Sequence, residues 1–277
     1  MRAQFGAILV VCLTTFGPAA AGEPSSEGAA DAGWGSVSGR VVFEGDPDDD
    51  LLEPYRREIG LYDPISIQDS MRGVRPRLRA KVTNECLLID SKTRGIANAI
   101  VYLEKKPERV HPEPTGEPLP TVELICKEHR FEPRIVLLQT GQTLRMSVDP
   151  DADSAVNFHS LFVRNPNFNR VAHSKAPGLE YTPKRAEKIP ARFDSNLELA
   201  AKAWCLVLDH PYAAVSAADD GSFEIENLPA GNHELVVWHE TVGYMARSLP
   251  IVIEAGKTIE LEPQKLTLAK LWQADRR

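Results

Sequence analysis

The strongest constraint in this chain is its punctuation. Apolar residues fall in runs of four to eight, bounded by Gly, Pro, Asn and Asp, and a helix cannot accumulate an apolar stripe over so short a span. Ser222–Glu226 (SFEIE) shows the pattern plainly: it alternates, with Phe223 and Ile225 on one face, and follows the hairpin signal Asp219-Asp220-Gly221. Ser36–Gly45, Leu87–Asp90, Ala99–Leu103, Thr121–Cys126, Arg134–Leu138, Thr143–Val148, Ala203–Leu208, His233–Trp238, Ser248–Ile253 and Thr258–Leu261 read as further strands. One short helix is expected near Leu51–Ile59 and another helical stretch over Leu266–Trp272. Residues 149–192, rich in Asn, Pro and Lys, carry few strand signals and read as a loop-rich stretch. The expected fold class is all-β.

The N-terminus has a different character. Met1-Arg2, an apolar run from Phe5 to Phe16 and Ala19-Ala20-Ala21 make a secretory signal over residues 1–21. The run is too short to span a bilayer, and no later stretch reaches about 18 apolar residues. Export to a periplasmic or extracellular location is therefore expected, with residues 22–35 as a polar leader. The net charge of −7 argues against nucleic acid as a partner, and no basic stripe or stacking motif offsets it. Cys86, Cys126 and Cys205 remain after the leader, an odd number without zinc-type spacing, consistent with buried thiols and at most one disulfide.

Two resemblances cover most of the remaining chain. Residues 35–43 (GSVSGRVVF), 95–103 (GIANAIVYL) and 220–231 (DGSFEIENLPAG) resemble the signatures of the carboxypeptidase regulatory-like, transthyretin-like β-sandwich. The second and third pieces are far apart, which implies a sandwich interrupted at a surface loop by another domain. The expected division is 36–118 plus 206–265 for this sandwich, 119–205 for the inserted domain and 266–277 for a tail.

The insert is similar to an exported bacterial cupredoxin-like family, of planctomycete and methylamine-utilisation-protein type, a Greek-key β-sandwich. The resemblance rests on residues 126–134 (CKEHRFEPR), 140–144 (TGQTL), 148–150 (VDP), 165–169 (NPNFN) and 207–215 (VLDHPYAAV), and on Trp238-His239-Glu240. It implies that the copper-ligand positions fall on Ser154, Ser195, Glu198 and Ala201. A type 1 copper site takes a thiolate, two imidazoles and a weak thioether, so loss of copper is the implied outcome and no cofactor is expected. A relocated metal site would draw on Cys126, His129 and His159. Asp149–Asp153 imitates the start of a calcium loop but lacks its Gly and Glu.

His210, Tyr212, Trp238, His239 and Glu240 are the residues for the seam between the two modules, as packing or as a polar cleft. No G-x-S-x-G, H-E-x-x-H or P-loop motif supports catalysis. The expected function is a non-catalytic exported module that binds an extracytoplasmic protein or polysaccharide on a cupredoxin scaffold without copper. The alternative is a metal-binding or electron-transfer protein.

Overall fold

A computed structural model describes residues 33–62, 71–73, 75, 77–111 and 118–275. The residues read as a signal, 1–21, and most of those read as a leader, 22–35, lie outside these. The chain runs β1 (Trp34–Glu44), a 3-10 turn (Asp50–Leu52), α1 (Glu53–Arg56), β2 (Ile59–Tyr62), β3 (Leu78–Val82) and β4 (Ile100–Leu103). Next come β5 (Val122–Lys127), β6 (Arg130–Glu132), β7 (Ile135–Gln139), β8 (Leu144–Val148), β9 (Ala155–Leu161), β10 (Asn169–His173), β11 (Leu179–Tyr181), β12 (Ala191–Asp194) and β13 (Lys202–Leu208). The last group is β14 (Ala213–Val215), β15 (Ser222–Pro229), β16 (Gly231–His239), β17 (Gly243–Ile253), β18 (Thr258–Glu260), β19 (Gln264–Thr267) and α2 (Leu268–Asp275).

The protein is all-β, and its larger sheets stack as four layers with three apolar cores between them. The outermost sheet is β15-β1-β18, with β19 also along β1; the next is β14-β4-β16-β17. Val37, Val41 and Phe43 of β1 meet Val101 and Leu103 of β4 and Leu235 and Val237 of β16 in the first core. The third and fourth sheets, β10-β9-β12-β13-β7 and β11-β8-β5-β6, enclose a second core around Phe131, Phe158, Phe193, Leu144 and Met146. The third core joins the two sandwiches: Ile100, Tyr102, Val236 and Trp238 pack on Ile135, Leu206 and Leu208.

Along β4, β13 and the second half of β16, the middle sheets are thus covered on both faces. This is why Ile100–Leu103, Leu206–Leu208 and Leu235–Trp238 are unbroken apolar runs rather than alternating ones. Each such Leu, Ile or Val contributes about 1.5–3 kcal/mol by leaving water. Trp204 and Trp238 meet edge-on across the seam, with ring centres 5.0 Å apart.

The three distant pieces 35–43, 95–103 and 220–231 meet in the first sandwich. β1 pairs antiparallel with β15, and Val42 bridges to Gly95. The contact is so close that a Cβ on Gly221, whose φ is +72°, would lie 2.0 Å from the Val41 carbonyl oxygen.

Several expectations need correction. The stretch 149–192 holds β9, β10 and β11, and β12 begins at its end, so strands stand where few strand signals were expected, with loop making up the rest. β13 pairs with β7 through Leu208, so the module boundary drawn at 205/206 falls inside a strand. The residues 266–277 do not form a free tail. β19 pairs with β1, and Leu266 and Leu271 are buried in the first core. Leu87–Asp90 forms only a bridge, from Ile89 to Ile96. Within the excursion after β1, the antiparallel β2–β3 ribbon has no counterpart in the sequence reading.

Candidate functional site

The loop from Ser195 to Ala201, between β12 and β13, carries three of the four implied ligand positions. Ser195 is buried, and its hydroxyl donates to Asn157 Oδ1 at 2.8 Å while accepting the N–H groups of Leu197 and Glu198. The same Asn157 oxygen accepts the N–H groups of Asn196 and Leu197 at 2.9 and 3.1 Å. A serine that caps the turn in this way has its oxygen committed to backbone donors. Ala201 is fully buried in the second core. Ser154 precedes β9, and its carbonyl accepts the N–H of Ser174.

Glu198 is a buried carboxylate with two basic side chains beside it, Arg79 and His129. Both of its oxygens accept Arg79 Nη2, at 3.1 and 3.0 Å, and Oε2 lies 2.9 Å from His129 Nδ1. Arg79 arrives on β3, whose ribbon packs through Leu61, Val82 and Ala80 against Ala200. His129 arrives on the tight β5–β6 turn, where Glu128 and His129 both have positive φ. Without these partners a carboxylate at this depth would be strongly disfavoured.

The alternative set Cys126, His129 and His159 is not gathered at one point. His159 Nδ1 pairs with Asp194 Oδ1 at 2.9 Å, Arg192 holds the other oxygen of that carboxylate, and His129 belongs to Glu198. Cys126 is buried in the second core, and burial, with Glu198 adding to it, pushes its thiol up to about 12. Among the described residues no three His, Cys, Asp or Glu side chains are grouped to hold a metal ion. Hydroxyl, carboxylate and methyl groups do not fit a type 1 copper centre. Asp149 Oδ1 is taken up by the N–H of Asp151.

The five seam residues do not line one open cleft. His210, Tyr212, Trp238 and His239 are buried, because the sheet that carries β16 is covered on both sides. Tyr212 packs in the first core, and its hydroxyl accepts the N–H of His111; Trp238 belongs to the seam core. Glu240 is buried with Arg134, which donates through Nε and Nη2 at 2.5 and 2.8 Å. Trp204 Nε1 donates to the same carboxylate at 3.1 Å, and Glu85 lies on the other side of Arg134.

His239 sets a pH expectation. Its Nε2 faces the Ala97 carbonyl and its Nδ1 accepts the Thr241 N–H, while burial lowers its pKa to about 4. The unfolded chain takes up this proton near the ordinary histidine value of 6.5 and the folded chain does not. Stability should therefore be full above 6.5 and fall as pH drops towards 4, by up to about 3 kcal/mol. Denaturant titrations between these limits should show a shallower pH slope in His239→Gln. An unchanged slope would assign the effect to other groups, among them His210, whose pKa burial also lowers.

Cys86, Cys126 and Cys205 are all free thiols. Sequence reasoning missed Arg79, Glu85, Arg134 and Glu187, since each finds its partner through the fold. Glu187, buried between β11 and β12, accepts the N–H groups of Val163, Arg164 and Asn165 and the Asn165 side-chain amide. No signal in the sequence marked it.

No family model matches the sequence, and no curated protein matches it. Among solved structures, the chain is similar to a purple cupredoxin from Nitrosopumilus maritimus, at 12% identity and TM-score 0.26, over 31% of this chain and 98% of that one. It is also similar to a mutant of amicyanin, at 9% identity and TM-score 0.27, over 39% of this chain and 97% of the other. A Cu-containing nitrite reductase from Thermus scotoductus SA-01 is 18% identical at TM-score 0.27, over 37% of this chain and 25% of the enzyme. Among the described residues no helix is long and apolar enough to cross a membrane.

Proposed function

We propose that this chain is an exported, non-catalytic double β-sandwich that binds a protein partner and carries no type 1 copper. One observation carries the reading: the side chains at three of the four implied ligand positions are committed elsewhere. Ser195 holds a backbone turn, Glu198 is held by Arg79 and His129, and Ala201 is core. A polysaccharide platform has less support. Trp204 and Trp238 face each other in the seam, and Trp34 has Arg109 over its ring.

The test is metal analysis after incubation with Cu(II) and desalting. The expected protein is colourless and holds well under one copper per chain. Stoichiometric copper with an intense visible charge-transfer band would overturn the reading and restore electron transfer.

A further inference from the structure

β3 and the residues that lead into it concentrate positive charge in an acidic protein. Between positions 71 and 81 stand Arg72, Arg75, Arg77, Arg79 and Lys81 with no acidic residue, in a chain of net charge −7. The remainder is therefore more negative than the whole. The ribbon is the basic stripe that the sequence reading overlooked.

Its cations are presented outward. Arg75 and Arg77 are exposed and have no ion-pair partner among the described residues. Arg79 reaches Glu198 yet keeps 40% of its side chain in solvent, and among the described residues Lys81 makes only an exposed pair with Glu58. Such an exposed pair is weak and easily exchanged for another anion.

The cations border an apolar centre. Tyr62 is 53% exposed and Leu78 44%, and the two are register partners across the ribbon. Both side chains reach the space over Gly60, where a Cβ would lie 3.0 Å from the tyrosine ring and 3.2 Å from Leu78. Lys81 is the register partner of Gly60, so a cation flanks this pair directly. The inner side of the ribbon is anchored: Leu61 and Val82 are buried with Ala200. Tyr62, Leu78 and Lys81, which lie on the ribbon itself, are thus held on a fixed support.

We propose that this ribbon is the docking surface for an acidic protein patch. The proposal rests on the partner-binding reading above and names the partner's chemistry. An exposed Tyr–Leu centre bordered by arginine has the composition of a protein interface, where aromatic residues and Arg are enriched. A polyanion of large extent, such as nucleic acid or an anionic bilayer, would also meet the acidic remainder of the chain and be repelled by it. A compact acidic patch meets only the ribbon.

The test uses the whole chain without its leader and an immobilised synthetic peptide that interleaves Glu and Asp with Leu and Phe. Binding should weaken with added salt. Arg75→Glu with Arg77→Glu should weaken it by about tenfold or more at low salt. Tyr62→Ser with Leu78→Ser should weaken it even at high salt, where the ionic contribution is screened. Both pairs of positions are exposed, and unchanged thermal unfolding would verify that the fold survives. Equal binding by the charge-reversed protein would overturn the proposal. So would stronger retention on heparin or phosphatidylglycerol vesicles than on the peptide. Self-association abolished by the same reversal would also overturn it, with a second copy as the occupant. Failure here leaves the protein colourless, whereas failure of the copper test leaves peptide binding unchanged, so the two readings fall separately.

Discussion

Arg134→Met should lower the unfolding free energy by about 3–5 kcal/mol, because it leaves Glu240 charged, buried and short of its main partner. Both side chains of the pair are nearly sealed from water, and Arg134 approaches the carboxylate through two nitrogens. Removing either member strands the other. The companion Glu240→Leu should be similarly damaging, since Arg134 would keep only the weaker contact to Glu85. The double variant is the informative one: with both charges gone and the volume filled, most of the loss should be recovered. Denaturant unfolding of the four proteins measures the coupling directly. Additive losses would mean that the pair is not the closed unit described here. Trp204 donates to the same carboxylate, so its fluorescence should shift in every single variant and provides a local readout beside the global one.

Glu187→Ala should be nearly as costly, by about 3 kcal/mol or more, for a different reason. The carboxylate collects three consecutive backbone N–H groups, of Val163, Arg164 and Asn165, together with the Asn165 amide. Each buried donor left without an acceptor costs about 1–3 kcal/mol. Asn165 in turn holds the opposite strand of the loop, because its Oδ1 accepts the N–H groups of Lys184 and Arg185. Alanine would therefore loosen residues 163–167 and 183–187 together. Glu187→Gln keeps one acceptor oxygen and should lose clearly less. Hydrogen exchange at residues 163 to 165 would follow the effect amide by amide. A loss below about 1 kcal/mol, or equal losses for Ala and Gln, would show that water replaces the carboxylate without penalty.

How much of this was legible follows from the kind of signal each part sends. β15 is announced by Asp-Gly and by strict alternation, and β5, β7 and β8 by compact apolar runs between turns. Strands that sit in a half-covered sheet write that placement into a period of two. β9 breaks the rule, since its inward positions are Val156, Phe158 and then Ser160, a fully buried hydroxyl that accepts the Phe168 N–H. One polar residue on the inner face erases the alternation, and the exposed strand β10 has almost none to offer. That is why a polar stretch was read where strands stand.

The candidate site divides in the same way. Ser195, Glu198 and Ala201 could be marked as positions by counting along a motif. What those residues do could not be counted, because Arg79 lies 119 residues before Glu198 and His129 lies 69 before it. Local sequence holds no trace of pairings made by the fold. The ribbon that supplies Arg79 was hidden by its composition, since a charged, proline-containing stretch gives a weak strand signal.

Where the two central sheets face each other they turn no side to water, and that has a bearing on how the halves can part. A module that keeps a solvated back can be copied, swapped or lost without harm to its neighbour. Here, parting the halves would lay bare Ile100, Val236 and Trp238 on one fragment and Ile135, Leu206 and Leu208 on the other. Each piece would be sticky and unfit alone. The halves are bound to fold and be degraded as one body, however separate their signatures look on paper.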